Sequence, residues 1–193
     1  MTQSNITNIV LAGVGGQGIL LASKLISDAA LIEGYDIKAN EVHGMAQRGG
    51  SVIAQIRFGE KVFSPLVKSG SAEFLLGMEI MEAVRHSHYL AADGKAFVNS
   101  QRIIPTTVSS GLADYPPDPE SLVEESFTNY KMADCLALAQ EAGSSKCVNT
   151  VMCGWLSPHL PFKDETWETV MKKHIKDRFI SMNQRAFQLG KEI

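Results

Sequence analysis

The chain has few cysteines and no block of like charge, and each absence excludes a class of protein. Its three cysteines, Cys135, Cys147 and Cys153, are odd in number and widely spaced. They predict no disulfide framework, and they are too few for an iron–sulfur cluster, which takes about four closely spaced cysteines. Eighteen basic and 21 acidic residues with no basic stripe predict that the chain does not bind nucleic acid.

Long apolar runs and a basic leader are also missing. No stretch reaches the ~18 apolar residues that a membrane-spanning helix requires. The first residues, MTQSNITNIVLAG, lack the basic segment and the apolar length of a secretory signal. With the unpaired cysteines, these features predict a cytoplasmic protein that does not interact with a membrane.

The order of predicted elements favours one α/β domain over residues 1–193. A β-branched run over residues 6–12, an amphipathic helix over 17–33 and a strand over 35–41 form a βαβ unit with parallel strands. Further predicted strands are 51–58 with a hairpin return over 61–64, 72–78, 96–99 and 102–104; predicted helices are 79–89, 119–125, 133–142, 148–156 and 165–187. We therefore predict a three-layer αβα sandwich with a mostly parallel, mixed sheet, a Rossmann-like start and a helical C-terminal portion.

A glycine-rich turn joins the first predicted strand to the first predicted helix. Gly13-Val14-Gly15-Gly16-Gln17-Gly18 satisfies the pattern G-x-G-x-x-G, whose glycines allow a tight turn and close approach to a phosphate at the helix N-terminus. The pattern also suits a tight turn without a ligand. A nicotinamide site would need an acid near the end of the second strand, where Glu41 is the candidate. Phosphate binding is the favoured interpretation, because the sequence after Glu41 is unusual for a ribose-binding turn.

The segment EVHGMAQRGGS, residues 41–51, is the second candidate site. It places a histidine that titrates near neutral pH and an arginine that can grip an anion among three glycines, after a predicted strand. Either side chain alone is commonly structural or part of an ion pair; together, beside the glycine turn, they indicate a site. The candidate cofactor-binding residues are Gly13, Gly15, Gly16, Gln17, Gly18, His43, Gly44, Gln47, Arg48, Gly49, Gly50 and Ser51, with no catalytic or metal-binding residue among them. The pair His86 and His88 predicts a solvated helix end, since positions i and i+2 do not share a helix face.

These motifs resemble the gamma subunit of the 2-oxoacid:ferredoxin oxidoreductases, the pyruvate/ketoisovalerate oxidoreductase gamma family. GVGGQGI and EVHGMAQRGGS are specific in combination, and the second is especially similar to the indolepyruvate branch of the family. The likeness continues in LLGMEIMEAVR, VNTVMCGWLS and NQRAFQLG, and so spans nearly the whole chain.

The resemblance implies a reaction that this chain cannot complete alone. A 2-oxoacid, indolepyruvate or a related one such as pyruvate, is oxidatively decarboxylated on thiamine diphosphate, the acyl group passes to coenzyme A, and iron–sulfur clusters carry electrons to ferredoxin. The chain has no Gly-Asp-Gly motif of the kind that binds magnesium and the diphosphate of thiamine diphosphate. The segment Asp93-Gly94-Lys95 does not match this motif. The resemblance therefore implies a larger partner subunit that holds thiamine diphosphate, Mg and the clusters, while this chain contributes to the coenzyme A and active-site rim.

Two other interpretations stay open at this point. The chain could be a free-standing NAD(P)-binding oxidoreductase that uses Gly13, Gly15, Gly18 and Glu41. It could also be a docking module whose second loop serves only to bind a partner. The isolated chain could self-associate through a partner surface left uncovered.

Overall fold

A mixed six-stranded sheet forms the centre of the computed structural model, which describes residues 6–44 and 49–193. The spatial order is β2-β3-β1-β4-β5-β6, and every strand is parallel to the others except β3. The strands are β1 (Ile6–Val14), β2 (Asp36–His43), β3 (Ser51–Gly59), β4 (Ala72–Gly77), β5 (Leu90–Asn99) and β6 (Tyr130–Ala133). The predicted mixed, mostly parallel sheet is therefore confirmed.

Helices cover both faces of the sheet, which confirms the three-layer architecture. They are α1 (Ile19–Ile32), α2 (Ile80–Arg85), α3 (Thr106–Ser109), α4 (Pro119–Ser126), α5 (Cys135–Ala142), α6 (Val148–Leu156), α7 (Asp164–His174) and α8 (Ile180–Lys191). Alternate side chains of β1 lie on opposite faces of the sheet. Ile9 and Leu11 pack with α1 and the C-terminal helices, whereas Val10 packs with Val67 on the other face. Helices α2 and α4 cover β4 and β5 on that opposite face.

Close glycine contacts hold the helical C-terminal portion together. A Cβ added at Gly154 of α6 would collide with the Phe187 carbonyl of α8, and one added at Gly190 would collide with the Val151 carbonyl. The two helices can approach this closely only because both positions lack a side chain. The three cysteines are free and buried.

The antiparallel strand β3 was predicted correctly, but the prediction of the strand that pairs with it was wrong. Residues 61–64 form no strand; instead β3 pairs along its whole length with β2 on one side and with β1 on the other. β1 and β2 run in the same direction, as the βαβ unit requires, with β3 inserted between them. Alternation identifies a strand but not the strand it pairs with, which explains the error.

Two smaller predictions were also wrong, and one strand was missed. Residues 102–104 form no strand; the Ile103 amide donates to the Glu79 carboxylate instead. The single helix predicted over 165–187 is divided into α7 and α8, because Ile175 adopts an extended conformation, with φ −109° and ψ 133°, and buries its side chain. β6 was not predicted, since its four residues are too short for a periodic signal.

Candidate functional site

The two candidate segments meet at one edge of the sheet. The Gly15 amide donates to the Gly50 carbonyl at 2.8 Å, and the Gly49 amide donates to the Gly15 carbonyl at 3.3 Å. The β1–β3 ladder continues directly from these bonds through the pair Val14 and Ser51. We call residues 14–18 and 49–51 the glycine rim. The two segments that the sequence marked separately therefore form one continuous backbone surface.

Gln17 shapes the turn from within. Its side-chain oxygen accepts from the Val14 amide at 2.8 Å, and its side-chain nitrogen donates to the Met78 carbonyl at 2.8 Å and to the Gln101 side chain at 3.1 Å. These bonds tie β1 to the residues that follow β4 and β5. Among the candidate residues, Gln17 thus has a side chain that is occupied internally, and it supports the turn from behind.

The glycines of the rim, and Gly13 just before it, have different structural roles. A Cβ on Gly13 would lie 2.8 Å from both the Gln17 side chain and Met78, so this glycine permits close packing. Gly16 and Gly49 have φ values of +109° and +75° and open space beside them, which leaves their backbone accessible. Helix α1 begins at Ile19, and no side chain of the described residues caps it. The Leu21 and Ala22 amides donate to the Gly18 carbonyl, which leaves the Ile19 and Leu20 amides to bind an anion.

A cavity of about 520 Å³ opens between the rim and the start of α1. It is lined by Val14, Gly15, Gly16, Gly18, Ile19, Leu20, Leu21, His43 and Val52. His43 is exposed, pairs with Val52 in the β2–β3 ladder, and has its ring Nδ1 3.1 Å from the Gly44 carbonyl oxygen. Backbone amides, one imidazole and aliphatic walls suit a ligand with an anionic end and a long, partly apolar body.

A second, more polar cavity of about 270 Å³ shares Val14, Gly49 and Ser51 with the rim. Its wall also includes Glu79 and Glu82, residues that are 1% and 6% exposed. Glu79 caps α2 by accepting from the Glu82 amide at 2.9 Å. The Ser51 hydroxyl donates to Glu82 Oε2 at 2.5 Å, so the rim is connected to α2 by a side chain as well as by the sheet.

The two carboxylates have opposite pKa shifts. Burial raises the pKa of Glu79 above its ordinary 4.5. Burial pushes the pKa of Glu82 in the same direction, but hydrogen bonds from His86 and Ser51 and the charge of Arg85 outweigh it and lower the pKa. Burial, reinforced by the negative charge of Glu79, raises the pKa of Tyr115 to about 12. This wall therefore holds one carboxyl group with a raised pKa beside one with a lowered pKa.

The residues of this wall were not found from the sequence. Glu82 and His86 stand at positions i and i+4, which places them on one face of α2, and that spacing was the available signal. The prediction of a solvated helix end was wrong for His86, whose side chain is 15% exposed and lies 3.5 Å from Glu82. The burial of His86 was missed because it depends on contact with Ser51 of β3, and the residues of the helix alone do not predict that contact.

Two candidate residues, Gln47 and Arg48, lie outside the described residues. Gly44 is exposed after β2, and its amide lies 3.5 Å from the Ser51 carbonyl oxygen. Glu41 is exposed on the edge strand β2, opposite Ala54 of β3, which in turn lies opposite Leu11 of β1. In dinucleotide-binding folds the strand with the ribose-binding acid lies next to the glycine-turn strand, so the insertion of β3 does not favour a nicotinamide site.

Residues 6–44 and 49–193 contain neither a metal-binding cluster nor a membrane-spanning helix. No group of three or more histidine, cysteine, aspartate or glutamate side chains is close enough there to hold a metal ion. None of the helices formed by these residues has the length and apolar character needed to cross a membrane.

Comparisons with known proteins agree over almost the whole chain. Residues 8–193 match the family described as pyruvate ferredoxin/flavodoxin oxidoreductase. The indolepyruvate oxidoreductase subunit IorB of Thermococcus kodakarensis is 45% identical over 95% of this chain and 93% of its own. The pyruvate/ketoisovalerate oxidoreductases common subunit gamma of Pyrococcus abyssi is 30% identical over 90% of this chain and 89% of its own.

A solved structure shows the same fold. The pyruvate oxidoreductase subunit PORC of Thermotoga maritima superposes with a TM-score of 0.75 at 21% identity, covering 97% of this chain and 96% of that one. With the family match and the relatives, this confirms the resemblance that the glycine turn and the second loop predicted. The chain belongs to the pyruvate ferredoxin/flavodoxin oxidoreductase family, as a gamma-type oxidoreductase subunit of a 2-oxoacid:ferredoxin oxidoreductase.

Proposed function

We propose that this chain forms the coenzyme A side of the active-site rim in an oxidoreductase that converts indolepyruvate, or a related 2-oxoacid, to an acyl-CoA. Residues 1–193 act as one gamma-type domain in a cytoplasmic complex. Its larger partner subunit holds thiamine diphosphate, Mg and the iron–sulfur clusters, and ferredoxin accepts the electrons. The substrate proposal rests on the relatives named as indolepyruvate oxidoreductase subunits, such as the one at 45% identity.

One observation carries the coenzyme A proposal: the glycine turn and the second loop are hydrogen-bonded to each other through Gly15 and Gly50 at the mouth of a cavity. Exposed amides at Gly16 and at the start of α1 can bind a phosphate of coenzyme A. The aliphatic wall formed by Ile19, Leu20 and Leu21 suits its pantetheine arm. The proposed cofactor-binding residues remain those predicted from the sequence, with Gln17 in a supporting position.

The chain's own residues do not fit the redox groups of the reaction. Cys135 packs against Met152, and burial raises the pKa of the Cys135 and Cys153 thiols to about 12, so they stay protonated and inaccessible. Thiolates are the ligands of iron–sulfur clusters. The clusters therefore belong, in this proposal, to the partner subunit.

The test is the coenzyme A dependence of the complex purified with its larger subunit. His43→Ala removes the exposed imidazole at the cavity, and we expect the KM for coenzyme A to rise about 3- to 10-fold, the loss of one hydrogen bond, with the KM for the 2-oxoacid unchanged. His88→Ala, an exposed histidine outside the cavity lining, is the matched control. An unchanged coenzyme A KM in an intact complex would contradict the proposal.

A second measurement separates the two other interpretations. If the second loop only docks a partner, Arg48→Ala abolishes assembly and leaves coenzyme A affinity intact. If the chain is instead a dinucleotide enzyme, the isolated protein binds NAD or NADP with a micromolar Kd. We expect neither result: assembly persists in Arg48→Ala with a raised KM for coenzyme A, and no dinucleotide binds.

A further inference from the structure

Ser51 is the residue at which the glycine rim meets helix α2. It begins β3, pairs with Val14 of the glycine turn, and its hydroxyl donates to Glu82 Oε2 at 2.5 Å. His86 Nε2 lies 3.3 Å from the same hydroxyl and 3.5 Å from the same carboxylate oxygen. Three side chains from two elements, 31 and 35 residues apart in sequence, therefore converge behind the rim.

Glu82 is held in a single orientation by partners on both of its oxygens. Oε1 lies 3.2 Å from Arg85 Nε, and Oε2 receives Ser51 and faces His86. Its side chain is 8% exposed, so leaving this charge without partners would cost free energy. Because hydrogen bonds to a buried ionised group are stronger than neutral ones, the bond from Ser51 is suited to fixing the end of β3.

The end of β3 sets the geometry of the exposed glycines. Gly49 and Gly50, which precede Ser51, make the two backbone bonds to Gly15 that close the rim. Gly49 has a φ of +75°, and no atom of residues 6–44 and 50–193 lies within 4 Å of the place where its side chain would stand. On the C-terminal side of these glycines, Ser51 carries a side-chain anchor, its hydrogen bond to Glu82.

We infer that Glu82, oriented by His86, is a positioning residue that clamps Ser51 and thereby preorganises the glycine rim. A preformed rim binds its ligand without the cost of ordering Gly49 and Gly50 at that moment. The clamp acts at the back of the rim, in the polar cavity, whereas the proposed coenzyme A cavity lies beside α1. The effect on coenzyme A rests on the proposed function; the effect on the rim itself does not.

The first test is hydrogen exchange of the Gly15 and Gly49 amides in the full chain. In Glu82→Ala we expect both amides to exchange at least about tenfold faster, the loss of one charged hydrogen bond. Glu82→Gln keeps an acceptor for Ser51 and restores most of the protection. Glu168→Ala, an exposed glutamate on α7 whose side chain is 57% exposed, is the control and leaves both amides unchanged.

Ser51→Ala keeps the test decisive if Glu82→Ala does not fold. It removes only the hydroxyl, and we expect the same faster exchange. In the double variant the two effects do not add, because both remove the same bond. Additive effects, or Gly15 and Gly49 amides that exchange at the wild-type rate in Ser51→Ala, would overturn the clamp.

The second test measures kinetics in the assembled enzyme. We expect Glu82→Ala to raise the KM for coenzyme A about fivefold or more with kcat nearly unchanged, since the clamp preorganises binding. If the amides exchange faster but the coenzyme A KM stays constant, the clamp stands and the coenzyme A proposal is overturned. If a raised KM is found with unchanged exchange, the clamp is overturned instead.

Discussion

Asn149 occupies the place where a side chain on Gly18 would stand. Its Nδ2 lies 2.7 Å from the position of a Cβ at Gly18 and donates to the Gly18 carbonyl at 3.3 Å. The two residues are 131 positions apart. The start of α6 thus packs directly on the glycine turn, which links the C-terminal helices to the site at the opposite end of the chain.

The first prediction concerns Gly18→Ala. Gly18 has a φ of +78°, in the left-handed region, and the added methyl group collides with Asn149. We expect the free energy of unfolding to fall by about 1–3 kcal/mol, from backbone strain and this collision together. Urea denaturation measures it. Gly44→Ala is the matched control, because Gly44 has open space and no positive φ, and it should not destabilise the chain.

A second prediction concerns Gln17→Ala. This variant leaves the Val14 amide without its side-chain acceptor, whereas the Met78 carbonyl still accepts from the Asn99 side chain. We expect a loss of about 1–3 kcal/mol in the free energy of unfolding, the usual cost of an unsatisfied buried polar group. Gln140→Ala, an exposed position on α5, should change it by less than about 0.5 kcal/mol. Equal effects of the two substitutions would show that Gln17 does not hold the turn.

The thiols give a third prediction. Burial raises the pKa of Cys147 as well as those of Cys135 and Cys153, so at pH 8 all three are protonated and inaccessible. We expect an aromatic disulfide reagent to react with the native chain no faster than the chain unfolds. In denaturant all three cysteines should react, and the reagent should release three equivalents of aromatic thiolate per chain. A thiol that reacts within seconds in the native chain would contradict the buried arrangement.

A fourth prediction follows from Asp28, which joins α1 to α7. Burial pushes the pKa of Asp28 upward, but Lys173 at 2.5 Å and His174 at 2.7 Å outweigh it, and the pKa lies below its ordinary 3.8. A carboxyl group with a lowered pKa stabilises the folded state above its unfolded pKa and loses that contribution as the pH falls through its folded pKa.

We therefore expect Asp28→Asn to lower the free energy of unfolding by about 0.5–1 kcal/mol at pH 7, a value limited by solvent screening. The difference from the wild type should shrink as the pH falls below 3.8. Unfolding curves in urea at several pH values measure it. Asp177→Asn, an exposed aspartate in the turn before α8, should show no such pH-dependent difference.

The sequence predicted the local elements well where periodicity and turn chemistry agree. The apolar run before the glycine turn is β1, the amphipathic stretch after it is α1, and the run over 148–156 is α6. These segments carry their own signals: β-branched residues, three- and four-residue apolar spacing, and a glycine stop. The motifs GVGGQGI and EVHGMAQRGGS also indicated the correct family.

The position of β3 shows where prediction from the sequence ended. Its alternating residues identified a strand and its antiparallel direction, but not its partners: β2 precedes it across a short connection, β1 lies far back along the chain, and the predicted return over 61–64 was nearer than either. The same holds for the bond from Ser51 to Glu82, which joins residues 31 positions apart. Local patterns contain no information on which distant elements become neighbours.

The amino-acid sequence alone determined the α/β class, the glycine turn, the second loop and the family, because each depends on residues that are adjacent in the chain. Tertiary structure alone decided that β3 separates β1 from β2, that Asn149 packs on Gly18, and that Glu82 meets Ser51 behind the rim. The physical reason is that burial and strand pairing are properties of the whole packed core. Each depends on every element that the core brings together.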